Sequence, residues 1–96
     1  MVKIINGKKY NTETAKVVAY YNNIDGRRIL QCDDGRFYEM TLYKKKTGEY
    51  FICNEGNCLS GIENGIEPVS EAAAKRWSEE YLSAYKYEQI WGEVDE

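Results

Sequence analysis

The side chains able to do covalent or acid–base chemistry in this 96-residue chain are three cysteines, sixteen carboxylates, nine tyrosines and thirteen lysines and arginines; histidine is absent. Without an imidazole there is no group to take the proton of a serine or cysteine nucleophile, so Ser-His-Asp and Cys-His catalysis are excluded. The cysteines are Cys32, Cys53 and Cys58. An odd count without regular spacing argues against a disulfide framework. Three thiolates and a carboxylate could hold zinc, but the Cys53-x4-Cys58 gap is wider than structural zinc sites use. The glycines at 56, 61 and 65 are not followed by Lys-Ser or Lys-Thr, so no phosphate loop is present. No catalytic residue, metal site or cofactor is predicted. The expected chemistry is recognition, not turnover.

Three surfaces could recognise something. The first is a basic cluster of Arg27, Arg28, Arg36, Lys44, Lys45 and Lys46, with Phe37, Tyr43 and Phe51 between them. Cations for phosphates and rings for bases are the means by which an open sheet holds single-stranded nucleic acid. The second is acidic: Glu71, Glu79, Glu80, Glu88, Glu93, Asp95 and Glu96. Residues 1–66 carry a net charge of +2 and residues 67–96 a net charge of −5, which together give the −3 of the chain. Rows of carboxylates can stand in for a phosphate backbone and occupy a basic groove. The third is Tyr81, Tyr85 and Tyr87 beside a glycine-rich loop, since tyrosine offers large contact area at low entropic cost.

The elements that must position these residues are read from pattern. A hydrophobic content of 43% with one proline fits a folded globule, and the length fits one domain covering residues 1–96. Asn6-Gly7 between short β-prone runs predicts a hairpin. Asn11 or Thr12 followed by Ala15, Val18 and Ala19 at helical spacing predicts a short helix over 12–21. RRILQC, RFYEMTLYKK and EYFICN predict a three-stranded antiparallel meander, joined at Asp33-Asp34-Gly35 and Lys46-Thr47-Gly48 by turns ending in a glycine bulge. That register sets Leu30 opposite Tyr38, Leu42 opposite Ile52 and Tyr43 opposite Phe51. Leu30, Tyr38, Met40, Leu42, Tyr50 and Ile52 then form the core face. Ile29, Gln31, Phe37, Glu39, Thr41, Tyr43 and Phe51 share the other, which is either half covered or a contact surface. Residues 54–68 read as a loop. Ser70 and Ser83 cap one or two C-terminal helices across the sheet. Ala74, Trp77 and Tyr81 face inward on the first; Tyr87, Ile90, Trp91 and Val94 form the stripe of the second. The predicted fold class is α+β.

The strings NGKKYNTETAK, FYEMTLYKKKTGEYFICNEG and EAAAKRWSEEYLSAYKYEQIWGEVDE resemble a family of small, uncharacterised acidic accessory proteins carried by phages, plasmids and integrative elements of Firmicutes. The sharpest parts of the likeness are YKKKTGEYF and YEQIWGEV. Members of that family carry a longer Gly- and Ser-rich insert before the final helices; the stretch NEGNCLSGIENGIEPVS is shorter here and has an additional cysteine. The resemblance implies no catalytic residue. It implies a mobile-element setting, in which small acidic proteins inhibit host defence, anti-CRISPR proteins among them.

The functional expectation is a non-enzymatic inhibitor of a bacterial defence nuclease such as a CRISPR effector. It would dock through Glu71, Glu79, Glu80, Tyr81, Tyr85, Glu88, Glu93 and Asp95 and compete with nucleic acid. The alternative is a small RNA- or DNA-binding accessory protein using the basic, aromatic meander. The polar start MVKIINGKKY does not read as a secretory signal, and no apolar run approaches the ~20 residues of a membrane span. Cytoplasmic location in a bacterial host is expected.

Overall fold

The computed structural model describes residues 1–95; Glu96, counted above with the acidic end, lies outside them. The fold is α+β, with six strands in two antiparallel sheets followed by two helices. Strands β1 (Val2–Ile5) and β2 (Lys8–Asn11) form the predicted hairpin. Its turn takes left-handed backbone at both central residues, Asn6 with φ 51° and Gly7 with φ 77°, which is why Asn-Gly stands there.

The expected helix over 12–21 is a strand instead: β3 spans Lys16–Asn22. The capping chemistry at Asn11 is real but local. Asn11 Oδ1 accepts from the Glu13 N–H at 2.9 Å, and the Ala15 N–H donates to the Asn11 carbonyl at 3.1 Å. That single turn is not propagated, because Val17, Val18, Tyr20 and Tyr21 are stiff β-branched and aromatic residues that suit a pleated surface. β3 pairs along its length with β4 (Tyr38–Lys44), with a bulge between Val17 and Ala19.

The meander is therefore built from different strands than expected. β4 pairs with β5 (Tyr50–Gly56), and Leu42 lies opposite Ile52 and Tyr43 opposite Phe51, as the turn register predicts. The turn between them closes with the Lys45 N–H on the Glu49 carbonyl at 2.7 Å and Gly48 at φ 93°. RRILQC forms no strand; β3 takes its place beside β4. Asp25 Oδ1 accepts the N–H groups of Arg27, Arg28 and Ile29 at 2.8, 2.9 and 3.1 Å. These donors are held in a local turn and are lost to any ladder. Leu30, placed on the core face by pattern, is 61% exposed. Residues 54–68 are not all loop either: β6 (Gly65–Val69) pairs with β5 and completes the order β3-β4-β5-β6. Pro68 is tolerated because β6 is an edge strand with one partner.

Strand β5 lies between two cores. Tyr50 and Ile52 face one side, with Ala19, Met40, Leu42, Ala74 and Trp77. Phe51 and Cys53 face the other, with Tyr10 and Ile66. The face left open in the sequence reading is thus covered by the N-terminal hairpin: Tyr10 meets Phe51 edge-on at 5.5 Å, and Tyr43 stacks on Phe51 at 4.9 Å. The hairpin is also tied by Lys8 Nζ to Glu49 Oε2 at 2.9 Å.

The helices α1 (Glu71–Tyr81) and α2 (Ala84–Trp91) cover the first face. Ser70 Oγ accepts the Ala73 N–H and Ser83 Oγ the Lys86 N–H, so both caps are as predicted. Ala74 and Trp77 are buried and Tyr81 is half-buried against the same core. The Trp77 indole N–H meets no acceptor among the described residues. α2 ends one turn earlier than its stripe suggested, at Gly92 with φ 96°. Val94 therefore leaves the packed face and is 61% exposed. No described helix is long and apolar enough to cross a membrane.

Candidate functional site

The two C-terminal helices are latched by one buried hydroxyl. Ser78 is fully buried; its Oγ donates to the Ala74 carbonyl at 2.8 Å and accepts the Trp91 indole N–H at 3.0 Å. Trp91 in turn packs on Tyr50 at 5.5 Å and lies beneath Lys75 Nζ at the same distance. This fixes how α2 folds back along α1. Between them lies a groove of about 400 Å³ lined by Leu82, Ala84, Tyr87 and Val94 together with Glu79, Glu88 and Asp95. The tail after Gly92 is held there by the Val94 N–H, which donates to Glu88 Oε2 at 3.3 Å.

The described members of the acidic set singled out in the sequence lie on this helical layer or the segment after it. Glu71, Glu79, Glu80, Glu88, Glu93 and Asp95 are exposed. Among the described residues none of the six forms an ion pair. Tyr85, 70% exposed, stands at the start of α2. Tyr81 does not belong to the surface set. Its ring packs on Tyr21 at 4.8 Å and Trp77 at 5.6 Å, and burial, with Glu80 beside it, raises its phenol pKa above the usual value.

The basic cluster is not brought together. Arg27, Arg28 and Arg36 lie before the start of β4, and Lys44, Lys45 and Lys46 at its far end. Seven residues of extended chain separate the two groups by about 20 Å. Arg36 is engaged internally: it pairs with Asp34 at 2.8 Å and donates to the Arg28 carbonyl. The Arg36 guanidinium holds the Asp34 carboxyl at about 2. Phe37 and Phe51 are buried and Tyr43 is stacked on Phe51. None of these three rings forms an open platform for a base.

Two clusters escaped the sequence reading. Glu39 and Glu55 are direct partners across β4 and β5, and Tyr20 Oη donates to Glu39 Oε2 at 2.6 Å. Partial burial and the facing Glu39 carboxyl push the Glu55 pKa up. The register read from the Lys46-Thr47-Gly48 turn already implied this pair. The other cluster gathers Lys9, Lys45 and Lys46 around a hollow between two turns; it needed the hairpin to fold over the sheet and had no local signal. Among the described residues no group of three or more Cys, Asp or Glu is placed to hold a metal ion.

The chain was compared with family models, curated proteins and solved structures, and matches none of them.

Proposed function

We propose that this protein acts by contact as an inhibitor of a bacterial defence nuclease, a CRISPR effector being the target class implied by its likeness to mobile-element accessory proteins. The observation that carries the reading is the helical layer. Six exposed carboxylates lie on or just after it without cationic partners among the described residues, and three of them, Glu79, Glu88 and Asp95, line a groove with apolar walls. Exposed carboxylates left unpaired in the monomer are free to meet lysines and arginines elsewhere. The groove adds what a plain acidic surface lacks. Its apolar lining suits the methylene stem of a lysine or arginine, and its acidic residues suit the charged head. A nuclease channel that holds nucleic acid is lined with such side chains. Occupying it excludes guide or target by charge and bulk, without turnover. Tyr85 supplies an exposed aromatic anchor at the start of α2.

The test is the triple variant Glu79→Lys, Glu80→Lys, Glu88→Lys, assayed against a panel of CRISPR effector nucleases for retained DNA cleavage. Inhibition by the native protein that weakens steeply between 50 and 200 mM salt, as charge-driven binding does, and that is lost in the variant is the expected result. Equal potency of native and variant protein refutes the electrostatic mechanism.

A further inference from the structure

We propose that the opposite layer carries a phosphate-binding niche for the backbone of duplex nucleic acid, formed by Lys9, Lys45 and Lys46 beside Thr14 and Thr47. These residues come from β2, the β2–β3 turn and the β4–β5 turn, and together they line a hollow of about 200 Å³. Lys9, Lys45 and Lys46 set three positive charges around one small concavity; the Thr14 and Thr47 hydroxyls that also line it already donate their protons to the Asn11 carbonyl and to Glu49 Oε1.

The niche is built rather than incidental. Lys45 is only 15% exposed at its side chain and is fixed by Glu49 at 3.3 Å and by the Tyr10 ring, 4.3 Å below its Nζ. Glu49 is the one acid paired to this layer among the described residues, and it is already shared between Lys8 and Lys45. Those two lysines and Thr47 hold its pKa down at about 2, led by the Lys8 hydrogen bond. Lys9 and Lys46 have no carboxylate partner among the described residues. Glu13, next to Thr14 in the same turn, makes no ion pair among the described residues and, like Glu49, opposes an anion.

The covered rings decide which nucleic acid. Tyr10 and Phe51 are buried and Tyr43, half-buried, has one face taken by Phe51, so unpaired bases gain little stacking surface there. Affinity then follows phosphate density, which is highest in a duplex, whereas stacking proteins favour single strands. This site is independent of the acidic groove; either can fail while the other stands.

The experiment is fluorescence anisotropy with a labelled duplex DNA and its separate single strand, using the full chain and the double variant Lys9→Gln, Lys46→Gln. Lys86→Gln, on α2, is the control for a lysine lost from the other layer. The expected result is duplex binding at least equal to single-strand binding. The double variant should bind at least about tenfold more weakly at 50 mM salt, with the slope of log affinity against log salt reduced by about two and the control unchanged. Equal binding by native and double variant overturns the proposal, as does an equal loss in the control. Preference for the single strand refutes the absence of stacking. Binding to phosphatidylglycerol vesicles without binding to the duplex reassigns the lysines to a membrane surface and refutes the nucleic-acid reading.

Discussion

Replacing Ser78 by alanine removes one oxygen atom and, with it, the link between α1 and α2. The loss can be apportioned. The Ala74 carbonyl that accepts from Ser78 Oγ sits within α1, so its own helical partner remains and little is lost there. The Trp91 indole N–H, 3.0 Å from that oxygen, is left without its acceptor. Trp91 is half-buried, so water recovers part of the bond, and the cost falls in the lower part of the usual range for an orphaned donor, about 1–2 kcal/mol. In a domain of this length each 1 kcal/mol moves the melting midpoint by about 4–8 °C. Urea denaturation of native protein, Ser78→Ala, Trp91→Phe and the double variant gives the coupling directly. A value of about 1 kcal/mol is expected, since Trp91→Phe alone already abolishes the bond and the second substitution then adds little. Additivity of the two single effects to within about 0.3 kcal/mol refutes the latch. It would also remove the reason for α2 to keep its angle to α1, and with it the fixed geometry of the groove.

Two further outcomes follow from burial and charge. Glu55 has a folded-state pKa above its ordinary 4.5, so its contribution favours the fold at low pH and turns unfavourable as pH rises through the folded value. Glu55→Gln should therefore stabilise the protein at pH 7 by about 0.5 kcal/mol, the scale of a cross-strand like-charge pair. The gain should vanish below pH 4.5 in denaturation curves, and destabilisation at pH 7 would contradict the facing-carboxylate account. Cys32 and Cys58 are exposed while Cys53 is buried; a disulfide reagent should titrate two thiols rapidly and the third only on unfolding, and three equally fast thiols would contradict the hairpin's cover of Cys53.

What could be read from the sequence was whatever a few neighbouring residues decide among themselves. Asn6-Gly7, the Lys45–Glu49 turn and the serine caps at 70 and 83 are such cases, and each stands where the sequence placed it. The run AKVVAYY fits two periods: Ala15, Val18 and Ala19 match a helix, and alternation matches a strand. Pairing with β4, more than twenty residues on, settled the question. Leu30 has the right hydropathy for a core and no ladder to bring it there, because Asp25 captures the amides ahead of it. The carboxylates of the helical layer were visible as composition. Their groove was not, since it depends on Gly92 turning the tail back toward Glu88. The lysine niche was invisible for the same reason on a larger scale: residues 9 and 46 become neighbours only after the hairpin docks on β5.

The layering has a consequence for how the two charged sides influence each other. Hairpin, sheet and helices stack at roughly 10 Å per layer, which sets the lysine niche and the acidic groove about 20 Å apart. At physiological ionic strength a charge is felt over only about 8 Å, but at 10 mM salt over about 30 Å. In the cell each side therefore presents its own sign to a visitor, undiluted by the other. In dilute buffer the two fields merge, and a visitor meets only the net −3 of the whole chain.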